Sequence, residues 1–405
     1  DVLKDASLTA IYGAKGGNGV IVVTTKSAGS GKITVGFNAN MSISHLVKKL
    51  DLMNAAEFAD YSWDRAAAGS TRSNAAKYFR ANFGNPNDLD IYQTATTHDW
   101  QDEVMGDTPV SYSTNVNIGG GSEKLHFNTS LTNSEDNGII MGSSVRRTNL
   151  NIKFEALLSD KLTLRLNPKF SYRRDTGAGG ESIGSGGIID ALQYRPTNGL
   201  REFAFWDPST VDPDEEANFQ YTNPKNDIQT NTQKKHSYDI INQAALEWRP
   251  IKGLVLETNF SYRMYFTDQN RFYGPLTKMG TANNKLPVAQ ITNTHREAYT
   301  WTNTVNYNFT LNNDHNFSAL LGSEIQSDQT KTTYQANRYF PREISSDKAL
   351  NNMTLGTPYS STSELTTPIR QASFFGQLSW NYKHRYLAAA TMRADGSTKF
   401  APGNQ

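Results

Sequence analysis

Residues 33–43, ITVGFNANMSI, alternate without a break. Ile33, Val35, Phe37, Ala39, Met41 and Ile43 fall on one face; Thr34, Gly36, Asn38, Asn40 and Ser42 fall on the other. A period of two over this length describes an extended strand with one apolar and one polar side, near the length that crosses a bilayer at a tilt. The pattern recurs at 110–118, 125–131, 150–156, 162–172, 238–248, 254–264, 297–309, 315–325, 372–382 and 386–394, roughly eleven strands in all. Their connections alternate between short and long. The short ones are 119–124, 159–161, 249–253, 312–314 and 383–385; the long ones are 44–109, 132–149, 173–237, 265–296 and 326–371. A sandwich has no reason to keep every tight hairpin at one edge, whereas a membrane barrel does. The expected fold is mainly β, a transmembrane antiparallel β-barrel.

Mean hydropathy is −0.60, and no apolar run approaches the ~18 residues of a membrane helix. A barrel escapes that test, because only alternate residues meet lipid. The polar faces then line the interior: Asn149, Asn151, Lys153 and Glu155; Thr163, Arg165, Asn167 and Lys169; Glu257, Asn259, Ser261 and Arg263; Thr300, Thr302, Thr304, Asn306 and Asn308. Eleven strands exceed the ~8 whose side chains can fill a barrel, which favours a polar lumen over an apolar core. Tyr112, Trp248, Tyr262, Trp301, Phe309, Trp380, Tyr382 and Tyr386 sit near strand ends as a candidate interfacial girdle.

Other chemistry is weakly signalled. A formal charge of +1 gives no reason to expect nucleic acid. With no cysteine, disulfides and thiolate metal sites are excluded. The seven histidines form no i,i+4 pair of the zinc-binding kind. Gly180-Glu181-Ser182-Ile183-Gly184 matches G-x-S-x-G, but no apolar strand precedes it to make an elbow. Asp212-Pro213-Asp214-Glu215-Glu216 lacks the spacing of a calcium loop and reads as a solvated stretch. GAKGGNG is not followed by the Lys-Ser/Thr of a phosphate loop. No catalytic residue, cofactor or metal site is expected. Asn54 and Glu57 have capping-box spacing and open a helix expected to run to about Ala67.

Residues 1–31 differ from the remainder. Leu3, Ala6 and Ala10 have helical spacing, and Gly13 suits a C-cap. A Gly-rich turn with Gly16, Gly17 and Gly19 leads into the apolar strand Val20–Val23. The run DVLKDASLTAIYGAKGGNGVIVVTTK, with Lys4, Asp5, Tyr12 and Gly13, resembles the end of the plug domain of SusC/RagA-type TonB-linked outer-membrane proteins. Asp99-Trp100-Gln101-Asp102-Glu103-Val104 resembles the family's tryptophan motif, and Gly120-Gly121-Ser122-Glu123-Lys124 its first periplasmic turn. Asn137-Gly138-Ile139-Ile140 and Arg393-Ala394-Asp395-Gly396-Ser397 also fit, although Ala394 stands where a polar residue is expected.

The resemblance implies a plug end at 1–31 and the N-terminal half of a barrel at 32–405, with both chain ends read as cuts through a longer protein. It implies TonB-dependent import of an oligosaccharide- or peptide-sized nutrient across a Gram-negative outer membrane. The implied partners are outer-membrane lipid, the TonB complex and a SusD-like surface lipoprotein. In the loop 173–237, Tyr194, Phe203, Phe205, Trp206, Phe219 and Tyr221 are candidates to stack on substrate or to pack the loop itself. Two alternatives are a siderophore- or cobalamin-type receptor with no lipoprotein lid, and a surface β-protein acting as an adhesin.

Overall fold

The computed structural model describes residues 2–3, 10–23, 31–69, 74–105, 108–177, 188–200 and 223–400. At the N-terminus, β1 (Val2–Leu3) pairs antiparallel with β2 (Val20–Ile21), and a 3-10 segment, Ala10–Gly16, lies between them. Of the stretch with helical spacing, Val2 and Leu3 are instead extended, because Val20 and Ile21 offer them a ladder. Gly13 is not a helix cap but an interruption inside the 3-10 segment, at φ 68° and ψ −161°.

The rest of the chain builds one antiparallel sheet of thirteen strand segments. These are β3 (Gly31–Ile43), β4 (Val110–Gly121), β5 (Leu125–Asn137), β6 (Ser144–Ser159), β7 (Leu162–Leu166), β8 (Lys169–Thr176), β9 (Asn231–Trp248), β10 (Leu254–Tyr273), β11 (Val288–Leu311), β12 (His315–Arg338), β13 (Thr357–Leu365), β14 (Ile369–Tyr382) and β15 (Tyr386–Ser397). They occupy eleven positions in the wall. β7 and β8 pair in succession along the same two neighbours, and Pro168 separates them; β13 and β14 pair in succession along β12, and Pro368 separates them. Proline has no N–H for the ladder, so a continuous strand is interrupted at that residue.

The expected strands are present but extend further at their upper ends. β11 and β12 each run 24 residues, against eleven to thirteen expected. Consequently four of the long connections contract, to 138–143, 177–230, 274–287 and 339–356. The tight turns stay short. At 312–314 and 383–385 the chain reverses through left-handed backbone at Asn312 and Asn313 (φ 50° and 62°) and at Lys383 and His384 (φ 50° and 54°).

The segment Ala10–Gly16 packs on β14 and β15, where Arg393 reaches it. That contact fixes the inner face of the sheet, and cross-strand register carries the assignment from strand to strand. Inward residues include Arg393, Ser373, Glu324, Thr302, Asn259, Gln243 and Arg165. The outer face carries exposed apolar side chains: Phe37, Leu131, Phe170, Phe260, Trp301, Leu321, Leu378 and Phe374. This is the inverted arrangement of a membrane barrel, and Ala394 now has a physical reason. It lies between Arg393 and Asp395 but faces outward, directly paired with Phe374, where an apolar residue belongs. Near the short turns the outer face gathers stacked rings. Phe309 and Phe317 lie 5.0 Å apart, Trp380 and His315 5.9 Å, and Tyr382 and Tyr386 6.3 Å. Trp248, Phe309, Trp380, Tyr382 and Tyr386 thus lie together at that end. Tyr262 and Trp301 instead sit in mid-sheet, where Trp301 Nε1 donates to Thr258 Oγ1 at 2.9 Å. No helix among the described residues is long and apolar enough to cross a membrane, which says nothing of strands.

Candidate functional site

Three arrangements shape the inner face of the sheet and its rim. The first joins the N-terminal element to the wall. Arg393 donates from Nη1 to the Ile11 carbonyl at 2.7 Å, from Nε to Asp395 Oδ1 at 2.8 Å, and from Nη2 to Glu324 Oε1 at 3.2 Å. Its side chain is only 8% exposed. One guanidinium therefore ties β12 and β15 to a backbone carbonyl more than 380 residues away, a use suited to its rigid, multidirectional donors. Gly13 is required beside it. A Cβ there would sit 3.0 Å from both Arg393 Nε and Asp395 Oδ2, and the backbone has positive φ. Gly16 and Gly19 close the following turn, with the Gly19 amide donating to the Gly16 carbonyl at 2.9 Å. Tyr12 is exposed and Gly17 lies in that turn, while Lys4 and Asp5 fall outside the described residues.

The second arrangement is the lumen wall. Arg165 faces Glu155, Glu247 and Glu257, with Nε to Glu155 at 3.4 Å, Nη1 to Glu257 at 3.1 Å and Nη2 close to Glu247. Arg263 grips Asp239 with two parallel bonds of 2.8 and 2.7 Å, and Arg296 pairs with Asp328. Gln243 donates to Asn259 at 3.2 Å. A polar cavity of about 270 Å³ opens beside Arg165, Lys153, Lys169 and Gln243. Towards the upper rim a larger one, about 540 Å³, is lined by Asp136, Arg173, Asp175, Gln233, Lys235 and Gln269. Such a surface solvates a polar passage and offers both donors and acceptors. Sequence alone names the residue types on this wall, but not that Arg165 serves three carboxylates; pairing depends on register.

The third arrangement holds the loops at the rim. Asn54 and Glu57 complete their capping box, with reciprocal bonds of 3.0 and 2.9 Å, and the helix Ala55–Gly69 follows. It packs with the helix Asn74–Phe83 around Ala59, Phe79, Phe83 and Tyr92, so the first long loop has a core of its own. Each part of the tryptophan motif then acts as a clamp. Asp99 caps the helix Trp100–Met105 through the Gln101 amide at 3.0 Å. Gln101 exchanges two side-chain bonds with the Leu50 backbone, both 2.9 Å. Lys49 Nζ bridges Asp99 and Asp102 at 2.8 and 2.6 Å. Although partial burial works against it, the Lys49 ammonium and the amides bound to Asp99 hold that carboxyl below its ordinary value.

Trp100 is buried, donates from Nε1 to the Arg195 carbonyl at 2.9 Å, and meets Tyr194 edge-on at 5.1 Å. Val104, Met105, Ala191, Tyr194 and Ile228 close around it. Tyr194 therefore packs the loop. Phe203, Phe205, Trp206, Phe219 and Tyr221 lie outside the described residues, as do the serine of the G-x-S-x-G stretch and the acidic run at 212–216. Among the described residues no group of three His, Asp or Glu side chains is placed to hold a metal ion.

Comparison with known proteins follows this geometry. No family model matches. A TonB-dependent receptor, P26, of Formosa agariphila is 27% identical over 414 residues, covering 100% of this chain and 39% of the receptor. The TonB-dependent receptor SusC of Bacteroides thetaiotaomicron is 27% identical over 436 residues, again covering 100% of the chain and 39% of the receptor. Along its whole length this chain is similar to these TonB-dependent receptors. Among solved structures, the RagAB peptide transporter matches with a TM-score of 0.75 at 19% identity, over 99% of this chain and 46% of the other. The RagAB peptide importer in its open-open state matches with a TM-score of 0.77 at 18% identity, over 100% and 46%. These two structural likenesses establish the barrel fold. The SusC-like chain spans about two fifths of the length of the curated receptors it matches.

Proposed function

We propose that this SusC/RagA-like chain is part of a TonB-dependent importer that carries oligosaccharide- or peptide-sized nutrients across a Gram-negative outer membrane. Residues 1–31 serve as the end of its plug, and 32–405 as the first half of its barrel. The observation that carries the reading is Arg393: an inward, nearly buried arginine of the wall that holds the carbonyl of Ile11 in the N-terminal element. A scaffold or adhesin has no need to tether an element inside a polar lumen. A transporter has, because that element must seat firmly and still be released. The SusD-like surface lipoprotein is assigned as partner on the similarity to SusC and to the RagAB assembly, and the TonB complex as the source of energy. The rim cavity bounded by Asp136, Arg173, Asp175 and Lys235 suits a polar cargo bearing hydroxyls, amides or charged groups. An enzymatic role is not part of the reading.

The test is a mild-detergent pull-down of the tagged full-length protein from outer membranes, with mass spectrometry of what accompanies it. A near-stoichiometric lipoprotein, together with glycan or peptide, is the expected result. A barrel recovered alone would move the assignment to a lidless metal-chelate receptor. A protein that stays soluble without detergent would refute the transporter reading altogether.

A further inference from the structure

On the outer face of β6, β8 and β9, side chains in register change character in three steps towards the rim. Leu150, Phe170 and Ile240 are paired across the three strands. Two residues further up come Thr148, Tyr172 and Tyr238, with the two tyrosine rings 5.0 Å apart. Two residues further again stand Arg146, Arg174 and His236. The order apolar, aromatic, cationic is that of a bilayer boundary read from hydrocarbon to headgroup.

Two arginines directly opposite one another repel unless an anion lies between them. Glu135, the partner of Arg146 on β5, hydrogen-bonds only Arg146 and reaches Arg174 through space alone. It accepts from Arg146 Nη2 at 2.6 Å and Nε at 3.1 Å, and from the Tyr112 hydroxyl at 2.7 Å. Arg174 Nε is buried with no hydrogen-bond partner among the described residues. The neighbouring His236 is engaged through Nδ1 by the Tyr172 hydroxyl at 2.7 Å, and Lys234 above it by Asp347 at 3.0 Å. Asp268 is the next carboxylate along the row, one strand beyond His236. One guanidinium is therefore left without a contacting anion at headgroup depth, above a column of apolar side chains.

We infer that Arg146 and Arg174 form an outward-facing site for the phosphate-bearing headgroup of an outer-leaflet lipid. The acyl chains would lie along Leu150, Phe170 and Ile240, while Tyr172 and Tyr238 meet the glycerol or sugar region. Guanidinium groups suit phosphate because their donors match its oxygens in pairs. Basic surface groups beside a hydrocarbon band recognise headgroups for the same reason. The site rests on the barrel spanning a membrane, but not on what the barrel imports.

The test uses the full-length protein in detergent, with lipid retention read by native mass spectrometry. The probes are dioleoyl phosphatidic acid and dioleoylglycerol, which share acyl chains and differ in phosphate. Retention of the phosphorylated lipid should exceed that of the other by about tenfold, and the R146Q/R174Q variant should lose that preference. The R147Q/R173Q variant, altered at the adjacent pair on the inner face, should keep it. Equal retention of both lipids, or an unchanged preference in R146Q/R174Q, would overturn the inference. Displacement by millimolar inorganic phosphate would also overturn it, marking a site for soluble anions. Should the double variant fail to fold, R174Q alone decides, since Glu135 and Arg146 remain paired in it. Loss of heat-modifiable migration in the parent protein would instead refute the barrel reading.

Discussion

Replacing Arg393 with methionine removes one guanidinium and keeps most of the side-chain volume. It leaves Glu324 and Asp395, whose side chains are 19% and 26% exposed, without their shared cation, and the Ile11 carbonyl without its donor. Breaking a fully buried ion pair costs about 3–5 kcal/mol. Here the two carboxylates retain some solvent, so about 2–3 kcal/mol is the reasonable loss in seating the N-terminal element. That corresponds to a ~30–150-fold increase in the opening equilibrium of residues 10–16. Hydrogen exchange of the full-length protein in detergent reads it directly, because amides exchange through such local openings. The Arg263→Met variant is the control: it breaks a bidentate pair with Asp239 on the same inner face without touching Ile11. Protection at 10–16 should fall in Arg393→Met and stay unchanged in Arg263→Met. If both variants exchange like the parent there, the latch contributes nothing to seating and the argument from Arg393 to transport fails.

Other consequences can be checked separately. Trp100→Ala empties the cluster formed with Val104, Tyr194 and Ile228 and removes the bond to Arg195; a loss of about 3–5 kcal/mol in loop packing should appear as faster proteolytic nicking near 188–200, with heat-modifiable migration of the barrel retained. Asp227 is a half-buried carboxyl in the helix Pro224–Thr230. Desolvation raises its pKa, the nearby Asp190 adds to this, and the Lys278 amide opposes it. Its contribution to loop stability is therefore full below the ordinary carboxylate range and is lost as pH rises through the raised value. Asp227→Asn should abolish that dependence, so limited proteolysis of the 224–230 helix should be equally slow at acid and neutral pH. Leu321→Arg places a charge on the exposed outer face, at a cost of about 2–4 kcal/mol if that face meets mid-bilayer. Thr304→Arg, inward and paired with Glu257, should cost far less; equal membrane yields of the two variants would contradict the assignment of faces.

The parts of the fold legible in the sequence are those where lipid enforces alternation. Residues 33–43 and 315–325 advertise themselves because every second side chain must be apolar. The upward extensions do not. Gln326–Arg338 reads QSDQTKTTYQANR, polar on both faces, because water bathes the two sides of the sheet there and no periodicity is demanded. It therefore resembles a loop, although β12 continues through it. Gly13 departs from its sequence pattern for a different reason. Its neighbours in the chain suggest the end of a helix, while the cause of its conformation is the side chain of Arg393, far away in sequence. The tryptophan motif was recognisable by resemblance, but the division of labour among Asp99, Trp100 and Gln101 appears only once Leu50 and Arg195 are brought alongside. Tyr194 shows the limit of reading aromatics by type: a ring in a substrate-facing loop and one that packs the loop look alike until Trp100 is placed beside it.

The length of β11 and β12 has a bearing on what stands above the membrane. A strand of 24 residues extends ~80 Å, or ~60 Å along the membrane normal at a barrel's usual tilt. The hydrocarbon-facing band accounts for ~25 Å of that. The remainder is a stiff collar rising about 35 Å into the surroundings. A lipoprotein resting on its crest while its acyl anchor stays in the leaflet needs roughly ten extended residues between lipidated terminus and folded body. In the proposed lipoprotein partner, the length of that tether, shortened residue by residue, would then set whether the mouth can be covered at all.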